Sequence, residues 1–128
     1  MAETAKTIEA ETSSPVQRSG LVDLSIEGWR FARLFAKVCT KLDAGEAQRY
    51  ANQLRYFQKR IEESLESAGL RLVNLEGQPY DAGLPATALN IGDFPPEMRL
   101  YVEQMLEPVI MGPDGLVKTG TIVLRGID

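Results

Sequence analysis

The chain has 128 residues, 14 Lys and Arg against 18 Asp and Glu, one cysteine and no histidine. That length holds one compact domain, or a small domain plus an extended element that depends on a partner. Lack of histidine excludes Ser-His and Cys-His nucleophile pairs and histidine metal sites, and a net charge of −4 without a basic cluster argues against a nucleic-acid partner.

Residues 1–20 are rich in Thr, Ser and Glu, include Pro15 and carry little apolar surface, so a disordered tail is predicted there. The tail lacks the basic flank and apolar core of a secretory signal. No apolar run approaches the roughly eighteen residues that a membrane span requires. Cys39 has no partner for an internal disulfide, which fits a reducing compartment, and a cytoplasmic location is expected.

A change of composition at Gly69 divides the remainder. Residues 21–68 contain no proline and two glycines, whereas residues 69–128 contain eight glycines and six prolines. The first part reads as a helical stalk and the second as a small β-rich domain. Two helices are predicted, over about 26–42 and 44–68, separated by Asp43-Ala44-Gly45-Glu46, in which Asp43 caps the second helix. A single bent helix is the alternative.

Phe31, Leu34, Phe35, Val38 and Leu42 form an apolar stripe on the first helix, led by Ile26 and Trp29; Tyr50, Leu54, Phe57, Ile61, Leu65 and Ala68 form one on the second. The charged residues between them read as a solvated face. Two such helices are too long for a module of sixty residues to cover. Homodimerisation into a four-helix bundle is therefore expected, through Phe31, Leu34, Phe35, Val38, Leu42, Tyr50, Leu54, Phe57, Ile61 and Leu65. Cys39, beside the first stripe, reads as a small buried core residue.

Beyond Gly69, strands are predicted at Leu70–Leu75 and Ala86–Ile91, with a turn at Glu76-Gly77-Gln78-Pro79. Residues 95–106 fit either a short helix opened by Pro95 and Pro96 or an edge strand. Val109–Met111 and Leu116–Val117 flank Gly112-Pro113-Asp114-Gly115, a hairpin signal, and Thr121–Leu124 makes a β-branched final strand. Together these form a sheet of three to five strands. No phosphate-binding glycine loop appears, and the spacing of Asp81, Asp93, Glu97, Glu103 and Glu107 places no two carboxylates at one site. No catalytic residue, cofactor or metal is expected, and the fold class is α+β.

Read in order, Phe31 to Leu42 resembles the first bundle helix of the GrpE family, the nucleotide exchange factors of Hsp70 chaperones. Tyr56 to Asp81 is the closer match: Gly69-Leu70 resembles the family's glycine-hydrophobic step, and Gly77-Gln78-Pro79-Tyr80-Asp81 its Gly-x-x-Phe-Asp motif. Thr121 to Arg125 is similar to the final family strand, while Ala82-Gly83-Leu84-Pro85-Ala86 stands where the family has proline and histidine. The resemblance implies a non-enzymatic co-chaperone that binds the nucleotide-binding domain of an Hsp70-type chaperone and promotes ADP release. It also implies partner contacts at Tyr80, Asp81, Leu124 and Arg125. The alternative is a dimeric scaffold or adaptor that keeps the fold and binds another protein.

Overall fold

The computed structural model describes residues 14–127. Two helices, α1 (Pro15–Cys39) and α2 (Ala44–Ser67), are followed by six strands: β1 (Arg71–Val73), β2 (Ala86–Ala88), β3 (Leu100–Glu107), β4 (Val109–Gly112), β5 (Gly115–Lys118) and β6 (Gly120–Gly126). One sheet has the order β1-β4-β5 and is antiparallel; the other, β2-β6-β3, pairs β2 parallel and β3 antiparallel to β6. The fold is α+β as read, but with six strands in two sheets rather than one sheet of three to five.

The first helix begins eleven residues before the predicted start at Ile26. Ser14 and Gln17 form a reciprocal capping box, with Gln17 N–H donating to Ser14 Oγ at 3.1 Å and Ser14 N–H to Gln17 Oε1 at 2.9 Å. Pro15 then occupies the first turn, where its missing N–H costs nothing. A composition that reads as disordered thus contains a helix start, and the tail expected over 1–20 is corrected from Pro15 onward; residues 1–13 lie outside the described residues. The helix also stops earlier, at Cys39, which is buried as expected. Asp43 caps α2 as predicted, its Oδ1 accepting Glu46 N–H at 3.0 Å.

The end of α2 explains the break in composition. Gly69 has φ +76°; its N–H donates to Glu66 C=O at 3.0 Å, and Leu70 N–H donates to Leu65 C=O at 2.9 Å. This is a Schellman cap, which needs the left-handed backbone that glycine adopts without steric cost. Leu65 and Leu70, the paired apolar positions of such a cap, are both buried with Val22, Ile26 and Ile110. Leu65, read as part of the dimerisation stripe, is fully buried at 0% exposure within the chain's own core. The foot of its stripe meets the β-module, so Leu65 itself needs no second copy to cover it.

The helices do not stand clear of the β-module as a free stalk. One face of α1, through Val22, Ile26 and Trp29, lies on the β-module. The adjoining face carries Ser25, Gly28 and Ala32 and packs on α2 so closely that a Cβ on Gly28 would stand 2.8 Å from Ile61 Cδ1 and 3.3 Å from Phe57. Toward the tip, Phe35 stacks on Phe31 at 6.1 Å and meets Tyr50 edge-on at 6.2 Å. No described helix is long and apolar enough to cross a membrane.

A set of polar contacts fastens α1 to β3. Trp29 Nε1–H donates to Met105 C=O at 3.1 Å, and Met105 N–H donates to Glu76 Oε2 at 2.9 Å. Arg33, from the next turn of α1, pairs with Glu76 at 2.7 Å, and its guanidinium lies 5.8 Å from the Trp29 ring centroid.

Gly28→Leu is expected to cost about 1–3 kcal/mol through overpacking, whereas Gly28→Ala stays near neutral because about 1 kcal/mol of helix propensity offsets the close contact. Both are read from urea unfolding by circular dichroism. Trp29→Phe and Glu76→Gln are each expected to cost about 1–3 kcal/mol, since each leaves a Met105 backbone group or Arg33 without its partner. Glu63→Gln, which disturbs only the exposed pair with Arg60, changes stability by less than about 0.5 kcal/mol.

Candidate partner-binding surface

Residues 95–106, open between helix and edge strand in the sequence, supply β3. Its pairing with β6 shifts register between Val102 and Gln104 and again between Met105 and Glu107, the mark of β-bulges. The other edge of β3 is occupied too. Gly77, with φ +86°, turns the chain so that its N–H reaches Val102 C=O at 2.8 Å. Val102 N–H donates to Gln78 C=O at 2.9 Å, and Tyr80 N–H to Leu100 C=O at 2.9 Å. Segment 77–80 thereby runs along β3, with Pro79 opposite Tyr101, and Tyr101 in turn opposite Arg125 on β6. Pro79, Tyr101 and Arg125 are in line on one face, with roughly 10 Å between the outer two backbones at ordinary strand spacing.

This pairing places the four positions expected to contact a partner. Arg125 is exposed and pairs with Glu103 at 2.9 Å. Asp81 is exposed, and its Oδ1 accepts Gly83 N–H at 2.7 Å, forming an Asx turn where the strand pairing ends. Tyr80 is half-buried against the module core. Leu124, at 2% exposure, is part of that core and is not available to a partner. Alternation along β6 sends Leu124 inward and Arg125 outward, so two adjacent residues of one motif serve opposite faces. Farther along the face that Arg125 shares, Thr121 Oγ1–H donates to Glu107 Oε1 at 2.7 Å, and Arg30 of α1 stands 3.7 Å from Glu107 Oε2.

Asn90 is a residue the sequence reading missed. The strand predicted over Ala86–Ile91 ends at Ala88, and a single turn of 3-10 helix follows at Ile91–Asp93. Between them, Asn90 takes over the pairing with β6: its Nδ2–H donates to Leu124 C=O at 2.9 Å and its Oδ1 accepts Leu124 N–H at 2.8 Å. One side-chain amide thus imitates the backbone of a further strand residue. The only signal available in the sequence was an Asn directly after a short β-prone run.

The hairpin forms as read, with Gly115 at φ +122° closing the turn between β4 and β5. Among the described residues no His, Cys, Asp or Glu cluster of metal-binding type occurs. No protein-family model, curated protein or solved structure matches this chain.

Asn90→Ala is expected to lower stability by about 1–3 kcal/mol, because it strips two hydrogen bonds from the backbone of a buried strand residue. Hydrogen exchange at Leu124 should speed up more than at Val102, which keeps its bond to Gln78.

Proposed function

We propose that the chain is a GrpE-like co-chaperone, which binds the nucleotide-binding domain of an Hsp70-type chaperone through its β-module and promotes ADP release. One observation carries this reading: the pairing of segment 77–80 with β3, and of β3 with β6. The two stretches that resemble the family in the β-module, Gly77–Asp81 and Thr121–Arg125, are forty residues apart in the sequence. They come to lie on either side of β3, and Asp81 and Arg125 stay exposed there. The Gly69-Leu70 step of the same resemblance is a structural joint, the cap that turns the chain from α2 into β1.

The proposed mechanism needs no covalent step. A protein that binds the open, nucleotide-free chaperone more tightly than the closed, ADP-bound form shifts the population toward the open form, so ADP leaves faster. The coupling equals the difference between the two affinities, and tight binding to both forms alike accelerates nothing. On this reading Asp81 and Arg125 supply polar contacts, and Tyr80 shapes the surface from beneath.

The test is release of a fluorescent ADP analogue from a cognate Hsp70 with and without the full chain. Acceleration is expected, reduced about fivefold or more by the double substitution Asp81→Ala and Arg125→Ala with folding intact, a loss of about 1 kcal/mol or more of coupling. No acceleration at saturating folded protein sinks the proposal and favours the adaptor reading.

A further inference from the structure

Where β3 begins, three parts of the chain meet around an open groove of about 370 Å³, a size at the lower end of ligand pockets. Segment 77–80 forms one wall, held by the bond from Tyr80 N–H to Leu100 C=O. The end of β6 forms another: Ile127 N–H donates to Arg99 C=O at 2.8 Å, and Met98 lies so close on Gly126 that a Cβ there would stand 2.8 Å from its Sδ. Ile91 and Pro96 close the third side. Most of the lining is apolar, with Ile91, Met98 and Ile127 at 45, 43 and 37% exposure and Tyr80 half-buried beside them. Single exposed apolar side chains are ordinary, but several gathered at one groove mark a binding surface.

The carboxylates of the β-module divide by place. Glu76, Glu103 and Glu107 are paired, with Arg33, Arg125 and Arg30. Of the other four in the described module, Asp114 is at the hairpin turn, and Asp81, Asp93 and Glu97 are exposed and have no ion pair among the described residues. Those three adjoin lining residues in the chain: Asp81 follows Tyr80, Glu97 lies between Pro96 and Met98, and Asp93 closes the single turn that begins at Ile91. Arg99 is the one basic side chain among the described residues that line the groove. Three carboxylates at the rim therefore outnumber one guanidinium.

We infer that this groove takes an extended segment of another protein in which apolar residues are flanked by Lys or Arg. Residues i and i+2 of an extended segment point the same way. Two apolar side chains thus enter between the walls while the basic flanks meet Asp81, Asp93 and Glu97, and Arg99 donates to backbone carbonyls of the segment. Charge decides against other occupants. A second copy docked groove to groove sets the three carboxylates against themselves, residues 1–13 of the chain carry Glu3, Glu9 and Glu11 against Lys6, and nucleic acid or anionic lipid is repelled. The groove and its rim carry this inference independently of the chaperone reading. Its test uses Ile91, Asp93, Glu97 and Met98, none of which enters the ADP-release experiment.

Fluorescence anisotropy of labelled short peptides titrated with the full chain tests it. The first peptide has a Leu-Val-Leu centre with Lys and Arg flanks, the second the same flanks around Ser-Thr-Ser, and the third the apolar centre with Glu flanks. Saturable binding of the first with a Kd below about 100 μM is expected, and the other two bind about tenfold more weakly or worse. Ile91→Ser with Met98→Ser weakens the first peptide about fivefold or more. D93K with E97K reverses the preference, so that the Glu-flanked peptide becomes the tighter ligand, a result that loss of structure cannot imitate. Circular dichroism checks the fold of each variant, and if the serine pair unfolds the chain, the charge exchange at exposed positions decides alone. No binding of the first peptide, equal binding of the Ser-centred one, indifference to the serine pair in a folded chain, or a preference unmoved by D93K with E97K overturns the proposal.

Discussion

The contact between Trp29 and Met105 governs how the two halves of the molecule relate. β3 is a bulged strand, and a bulged edge leaves backbone groups that need partners or water. Segment 77–80 satisfies the first half of that edge and stops at Val102. At Met105 the partners come from elsewhere: the indole of Trp29 on one side and the carboxylate of Glu76, steadied by Arg33, on the other. An irregular sheet edge is thereby closed by a helix, one of the standard protections against edge-to-edge association. The carboxylate also belongs to the residue just before the Gly77 turn, so the same clasp fixes the start of the segment that carries Tyr80 and Asp81. Helix position and the proposed partner surface are mechanically one arrangement.

Because α1 lies along the β-module, it cannot act as a simple two-sided amphipathic helix. Val22, Ile26 and Trp29 serve the module, while Ser25, Gly28 and Ala32 let α2 approach; Leu24, Phe31, Leu34 and Val38 remain outside. The small residues matter as much as the large ones here. Only a face without bulk at Gly28 allows Phe57 and Ile61 to lie against the helix backbone, while Trp29 on the adjoining face reaches Met105.

Features governed by neighbours in sequence were legible. The cap at Asp43, the end of the helical part before Gly69, the hairpin at Gly112–Gly115 and the final β-branched strand follow from residue preferences over short spans, and the structure shows each. A local signal was also present at Ser14-Pro15-Val16-Gln17, where the low apolar content of the surrounding tail concealed a complete capping box. The strand at Leu100–Glu107 was less legible, because its apolar residues suit either period until β6 claims one edge. Tyr80, Asp81, Leu124 and Arg125 could be named from the sequence, but which of them face outward could not.

Sequence alone determined the division at Gly69, the helical character before it, the turn-rich character after it and the absence of histidine chemistry. All of these depend on residue identity and short spacing. Tertiary structure alone decided that the helices lie on the module and that Leu65 and Leu124 are core. It alone set segment 77–80 along β3, one strand away from the last strand, and gave Asn90 a strand's role. The physical reason is common to all of them: a side chain's spacing says which residues share a face, but what that face meets is settled by contacts between segments tens of residues apart.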